Sequence, residues 1–193
     1  RELIINTIET VVANNDKKTN YRKPLVGFAD ATDPDFKKLK ELVTPEYRLP
    51  EDILSDAKTV IAFFVPFSEE IVQANNKDSQ CADEWAIAYK ETNDLIGEVC
   101  QTLKKELNQE DIEVKWESAT HNFDENRLIS FWSHRSTAKI CGLGEFGLNK
   151  MLITGQGSAG RFGSVVINHG LEPSDKFTGG PCVYFKNGSC GVC

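Results

Sequence analysis

An α+β fold, an α/β sandwich with a mixed sheet flanked by helices, is predicted by three features of this 193-residue chain. The stretch KTVIAFFVPF, Lys58 to Phe67, is its most apolar run and ends at a proline, as expected of a central strand covered on both faces. Trp85, Tyr89, Leu95, Ile96, Val99, Leu103 and Leu107 recur at the spacing of one long helix. Strands and helices alternate without a regular βαβ order, which suits a sandwich better than a doubly wound sheet.

The other elements follow in order. Leu3, Ile4, Ile8, Val11 and Val12 mark an opening amphipathic helix, which stops at the polar ANNDKKTN. PLVGFADA is a short strand running into a turn. DPDFKKLKEL carries the Asp-Pro signal of a helix start. IEVKWES alternates like a strand, and NRLISFWSHRSTAKICGLG is expected to be a helix closed by glycine. KMLITG and RFGSVVINHG are two further strands separated by the glycine-rich TGQGSAG. After Leu171 the composition changes to EPSDKFTGGP, a polar Gly/Pro linker. The expected division is a main domain over 1–171 and a linker with the start of an appended module over 172–193.

With 40% hydrophobic and 26% charged residues the composition is that of a soluble globular protein. No apolar run is long enough to span a bilayer, and no signal peptide is visible, so a cytoplasmic location is expected. A net charge of −7 offers no general attraction to phosphate backbones or anionic lipid. A nucleic-acid partner is therefore not expected.

Six cysteines in a chain of this kind are expected to be thiols or metal ligands rather than disulfides. Cys81, Cys100 and Cys141 sit among apolar neighbours and are expected to be small buried residues. Cys182, Cys190 and Cys193 form a Cys-x7-Cys-x2-Cys cluster suited to a soft metal centre. An iron–sulfur cluster is favoured over zinc, because all the donors are thiols and no histidine is near in sequence.

GLGEFG (Gly142, Gly144, Gly147) and GQGSAG (Gly155, Gly157, Gly160) match the dinucleotide fingerprint by letter. Neither has the strand before and helix after that the fingerprint requires. Either alone is a helix stop or tight turn; together they are two loops where backbone can approach a large ligand. Arg135, Lys150 and Arg161 are near enough in sequence to meet its anionic groups. His121, His134 and His169 give no pair at metal spacing. His134 and His121 are candidates for proton transfer. Asp124 shares that status with Glu125, although an Asp-Glu pair is also a helix-start signal.

The stretches YRLPEDILSDAKTVIAFFVPF, WAIAYKETNDLIGEVCQTLKKEL, CGLGEFGLNKMLIT, GSAGRFGSVVI and CVYFKNGSCGVC resemble, in that order, the epoxyqueuosine reductase family, which is related to the reductive dehalogenases. The resemblance runs from about Val26 onward and implies a nitroreductase-like domain that holds cobalamin without a protein histidine below the cobalt. It also implies a ferredoxin-like module with [4Fe-4S] clusters, to which Cys182, Cys190 and Cys193 would contribute, and within which the chain is expected to break off. In the longer protein, cobalamin and a [4Fe-4S] cluster are the expected cofactors. The cobalamin cleft would lie between the loops Gly142 to Lys150 and Gly157 to Gly163. Its residues would be Arg135, Gly142, Leu143, Gly144, Phe146, Gly147, Lys150, Gly157, Ser158, Gly160 and Gly163.

One departure matters. Counting back from Gly142 without gaps, Leu128 stands where the family carries its proton-donating aspartate, and Asp124 would fit only with an insertion. The expected function is thus the corrinoid-binding domain of an iron–sulfur, cobalamin-dependent reductase. It would act on a small-molecule substrate with a low-potential electron donor. A non-catalytic iron–sulfur electron carrier or corrinoid-handling protein, or a flavin oxidoreductase on the same scaffold, are the alternatives.

Overall fold

A computed structural model describes residues 1–77, 80–118, 123–188 and 190–191. The chain opens with helix α1 (Glu2–Ala13), edge strand β1 (Leu25–Asp30), and helices α2 (Pro34–Leu42) and α3 (Pro50–Ile53). Asp33 caps α2 by accepting from the Asp35 N–H, with Pro34 at the first helical position, where its missing donor costs nothing. Strand β2 (Thr59–Pro66) is buried at every residue, as its apolar run predicts. Helices α4 (Glu69–Asn75) and α5 (Asp83–Leu107) follow.

Strand β3 (Val114–Lys115) is only two residues long, and β4 (Phe123–Asp124) pairs with β5 (Ile129–Ser130) in a small hairpin. Helix α6 (His134–Ile140), the β6–β7 pair (Gly144–Phe146 and Leu152–Thr154), strand β8 (Gly160–Ile167) and helix α7 (Val183–Asn187) complete the chain. The main sheet has the order β1-β2-β8-β3, with every pairing antiparallel. The α+β class is as predicted, and the sheet is antiparallel throughout rather than mixed.

Strand alternation sorts the core into two halves. Ile61, Phe63 and Val65 of β2, with Val165 and Ile167 of β8, pack under α1 and α5 against Ile8, Leu95, Val99 and Leu103. Val60, Ala62 and Phe64, with Phe162 and Val166, face the opposite side. There they meet Phe36, Tyr47, Trp132, Ala138 and Leu152.

Two expectations need correction. The helix predicted across NRLISFWSHRSTAKICGLG is only the seven-residue α6. Leu128 takes the left-handed conformation (φ 55°), Ile129 and Ser130 pair as a strand, and Ser133 caps α6 by accepting from the Ser136 N–H. Cys81 is exposed, whereas Cys100 and Cys141 are buried as expected.

The segment after Leu171 has no regular secondary structure up to Cys182, yet it is strapped to the domain. The Ser174 N–H donates to the Phe28 carbonyl and the Phe28 N–H to Ser174 Oγ, so the strap pairs along the free edge of β1. Lys176 Nζ reaches Asp33 (2.6 Å) and the Ile140 carbonyl at the end of α6 (2.9 Å). No helix among the described residues is long and apolar enough to cross a membrane.

Candidate ligand cavity

A cavity of about 570 Å3 opens on the α6 side of the sheet, within the size range of small-molecule sites. Three parts of the chain build it. The start of β8 supplies Gly160, Arg161 and Phe162; the residues around the α6 N-terminus supply Trp132, Ser133, His134 and Arg135; the β4–β5 hairpin supplies Phe123 and Ser130. Tyr89 from α5 and Met151 complete the wall.

The two arginines are held differently. Arg161 lies over the Tyr89 ring at 4.1 Å and donates to Asn93 Oδ1 at 2.8 Å, a stacked and hydrogen-bonded arrangement that presents its charge in a fixed direction. Arg135 is exposed and bonds only weakly, to the Lys150 carbonyl (3.3 Å) and Met151 Sδ (3.4 Å). Apolar rings with two cations at the margin suit a flat ligand with polar or anionic side groups.

Behind the wall is a buried polar group. The Trp132 ring stacks on Phe36 and Tyr47, and its Nε1–H donates to Ser164 Oγ at 3.0 Å. The same Oγ contacts His134 Nδ1 at 2.7 Å. The Ser133 N–H donates to Tyr47 Oη (2.8 Å), and burial pushes the Tyr47 hydroxyl up to about 12. His134 Nε2 is buried, and the Ser118 backbone carbonyl lies against the ring. Burial pulls the ring down to about 4, overcoming the nearby Ser118 carbonyl, which favours the protonated form; Arg161 adds to the depression. At neutral pH this imidazole is uncharged.

Asp124 is on the hairpin beside Phe123 but turned to its own loop. Its carboxylate accepts from the Asn126 and Arg127 N–H groups and from Arg127 Nε, and Arg127 also binds Glu46. The Arg127 N–H and guanidinium hold the Asp124 carboxyl below its usual range, so it is ionised. Leu128, at the tip of the same loop, is 74% exposed.

Of the residues the sequence pointed to, Arg135, Gly160 and Arg161 reach the cavity wall together with His134. Most of the others pack the fold. A Cβ at Gly142 would lie 2.2 Å from the Asp175 carbonyl oxygen, and one at Gly144 would lie 2.4 Å from that of Ile153. Gly147 is pressed against the Ile153 side chain and Gly163 against Phe63 on the α5 side of the sheet. Leu143 is buried in the core and Phe146 packs against it. Lys150 is exposed at positive φ. Gly157 closes a turn with Thr154, and Ser158 is half-buried in the bend before β8.

Cys182 is buried, and its thiol is held below the ordinary range by the N–H groups of Leu148, Phe185 and Tyr184. Cys190 is half-buried; Cys193 and His121 lie outside the described residues. Among the described residues no three His, Cys, Asp or Glu side chains cluster closely enough to hold a metal ion. Trp132, Ser164, Tyr89 and Phe162 were not legible as site residues, since their partners are distant in sequence. The one signal was the apolar–serine alternation in RFGSVV.

The chain matches no protein-family model and no curated protein. Its structure, however, superposes on epoxyqueuosine reductases. That of Streptococcus thermophilus matches with a TM-score of 0.58 and 18% identity, over 92% of this chain and 48% of that one. The Bacillus subtilis enzyme, with its catalytic aspartate loop swung out of the active site, gives 0.61 and 22%, over 98% and 50%. A third, bound to an epoxyqueuosine-modified tRNA-Tyr stem loop, gives 0.63 and 20%, over 98% and 49%. The chain has the epoxyqueuosine reductase fold. It spans about half the length of these structures.

Proposed function

We propose that this chain is the cofactor-binding part of a cobalamin-dependent, iron–sulfur reductase. The observation that supports it is the ring-lined cavity with Arg161 fixed on Tyr89 and a neutral His134 in its wall, on a fold shared with epoxyqueuosine reductases. The donor set fits the group. Phe123, Trp132 and Phe162 offer apolar surface to a corrin, and Arg135 and Arg161 offer donors to its amide-bearing rim. The bound corrinoid would supply a low-valent, nucleophilic metal centre.

The chain's own residues bind and orient. Arg161 sets the position of the ligand's polar margin, and the Trp132–Phe36–Tyr47 stack keeps the wall behind it rigid and dry. Cys182 and Cys190, with Cys193, would be thiolate ligands of a [4Fe-4S] cluster. The amide N–H groups around Cys182 favour the thiolate form that ligation requires.

The substrate proposed is a small molecule reduced with electrons from a low-potential donor. The net charge of −7, the exposed Leu128 and the ionised, Arg127-bound Asp124 all weigh against a tRNA substrate. Anaerobic titration with cobalamin tests the cofactor reading. The corrin absorption should shift and saturate, and the shift should weaken in Arg161→Ala. No shift at saturating cobalamin, or retention of a flavin instead, overturns it. A stem loop carrying epoxyqueuosine should leave the cobalamin-bound spectrum unchanged, and a saturable response would return tRNA as the substrate.

A further inference from the structure

The arginines of this chain are partnered in different ways. The arginine ion pairs among the described residues are those of Arg48 with Glu117 and of Arg127 with Glu46 and Asp124. Arg22 donates to the carbonyls of Phe67 and Gln156, both at 2.9 Å, and so braces two loops. Arg161 has neither arrangement. It is half-buried, lies over the Tyr89 ring, and gives one hydrogen bond, to the neutral Asn93 Oδ1. Ring and amide hold the guanidinium in place and leave its charge without a counter-charge. A charge drawn partly out of water in this way costs free energy, and an arriving anion offsets the cost through charge-assisted hydrogen bonds.

The cavity as a whole has the same sign. Arg135 is the second cation on its wall, and among the described residues no Asp or Glu lines it, although the chain holds 29 acidic residues and a net charge of −7. Asp124, next to Phe123, is held by Arg127. Glu91 and Asp94, close to Asn93 on α5, line a different groove with Lys17 and Lys18. Keeping acids out of one concavity of an acidic protein focuses a positive potential there. A wall built only for neutral oxygens would not need this, since amide side chains donate at lower desolvation cost.

We propose that Arg161 and Arg135 form an oxyanion subsite in this cavity, and that the group bound there is a phosphate or a carboxylate. This rests on the cavity being the ligand site of the proposed reductase, and it names the charge class of what is held. Arg161 is the fixed member and sets direction. Arg135, exposed and bonded only at 3.3 and 3.4 Å, turns onto the anion from outside. Two sources have this chemistry, the phosphodiester in the nucleotide tail of cobalamin and an acid group on the small-molecule substrate.

Titrating the ligand-free protein with inorganic phosphate tests the subsite by itself. The Arg161 Nε–H and the backbone amides of residues 160–162 should shift and saturate in 1H–15N spectra, with added sodium chloride weakening the response. Acetate should act likewise, and acetamide, its neutral counterpart, should not. Arg161→Gln keeps hydrogen-bond donors without the charge and should bind phosphate about tenfold more weakly, whereas Arg161→Lys should stay within about threefold of wild type. No saturable shift with phosphate or acetate, an equal response to acetamide, or unchanged phosphate affinity in Arg161→Gln overturns the proposal. A second arm compares cobalamin with cobinamide, the same corrin without the phosphate-bearing tail. If the anion is the cofactor's, phosphate should compete with cobalamin alone, and Arg161→Gln should weaken cobalamin and spare cobinamide. If it is the substrate's, phosphate should still shift Arg161 in the cobalamin-bound protein. Either result upholds the subsite. Equal competition with both corrinoids, and equal weakening of both in Arg161→Gln, would give Arg161 to the neutral corrin rim and overturn the proposal. Phosphate binding with neither corrinoid bound overturns the cofactor reading alone.

Discussion

The two sides of strand β8 differ in what they bury. Toward α1 and α5 it presents Gly163, Val165 and Ile167 to a core of aliphatic and aromatic side chains. Toward α6 it presents Phe162, Ser164 and Val166, and Ser164 anchors two polar rings beside a cavity. One side is a packing surface optimised by volume; the other carries hydrogen bonds that stability alone does not require, since a hydroxyl between two rings costs more to bury than a methyl. The difference is what favours the α6 side for the proposed ligand site, with the α5 side holding the sheet.

The largest expected effect breaks the packing side. Leu95 of α5 is fully buried against the sheet, and Leu95→Ala should cost about 2–5 kcal/mol of stability in urea unfolding, while cobalamin affinity of the folded protein stays within about twofold. A large loss of affinity without loss of stability would erase the distinction between the two sides.

Acid should act through the polar side. His134 is held near 4, below its ordinary 6.5, so between these values the unfolded chain binds the extra proton. The stability it contributes is complete above about pH 6.5 and disappears as pH falls toward 4. The full span is worth about 3 kcal/mol. Urea midpoints at pH 7 and pH 4.5 should therefore fall more in wild type than in His134→Gln, and equal slopes would show that the ring is solvated in the folded state.

A smaller effect sharpens the reading of the glycine loops. Gly144→Val should destabilise by about 1–3 kcal/mol, because the Ile153 carbonyl oxygen occupies the space and backbone cannot move aside cheaply. Thermal unfolding checks this. Unchanged stability with lost cobalamin binding would instead return Gly144 to the ligand.

Much of the fold was legible because its signals are local. The unbroken apolar run of β2, the helical spacing of α5 and the Asp33-Pro34 start of α2 each depend on neighbours in sequence. The stretch before α6 was misread because Leu128, Phe131 and Trp132 have apolar spacing compatible with a helix, while their conformation is set by the hairpin turn and by stacking on Phe36 and Tyr47. The cavity was legible at Arg135, Arg161, His134 and Gly160. Sequence cannot distinguish a glycine that yields space to a ligand from one that yields it to a carbonyl, as Gly142 does to Asp175. The pairing of Ser164 with Trp132 and His134 spans about thirty positions and exists only once the strand and the helix are packed.

Amide hydrogen exchange with and without saturating cobalamin tests the asymmetry most directly, since it follows both sides of the sheet in one experiment. Protection should rise in peptides covering 130–135, 151 and 160–162, with α1 and the outer face of α5 unchanged. Protection confined to α1 and α5, or none anywhere at saturation, would contradict the assignment of the α6-side cavity as the cofactor site.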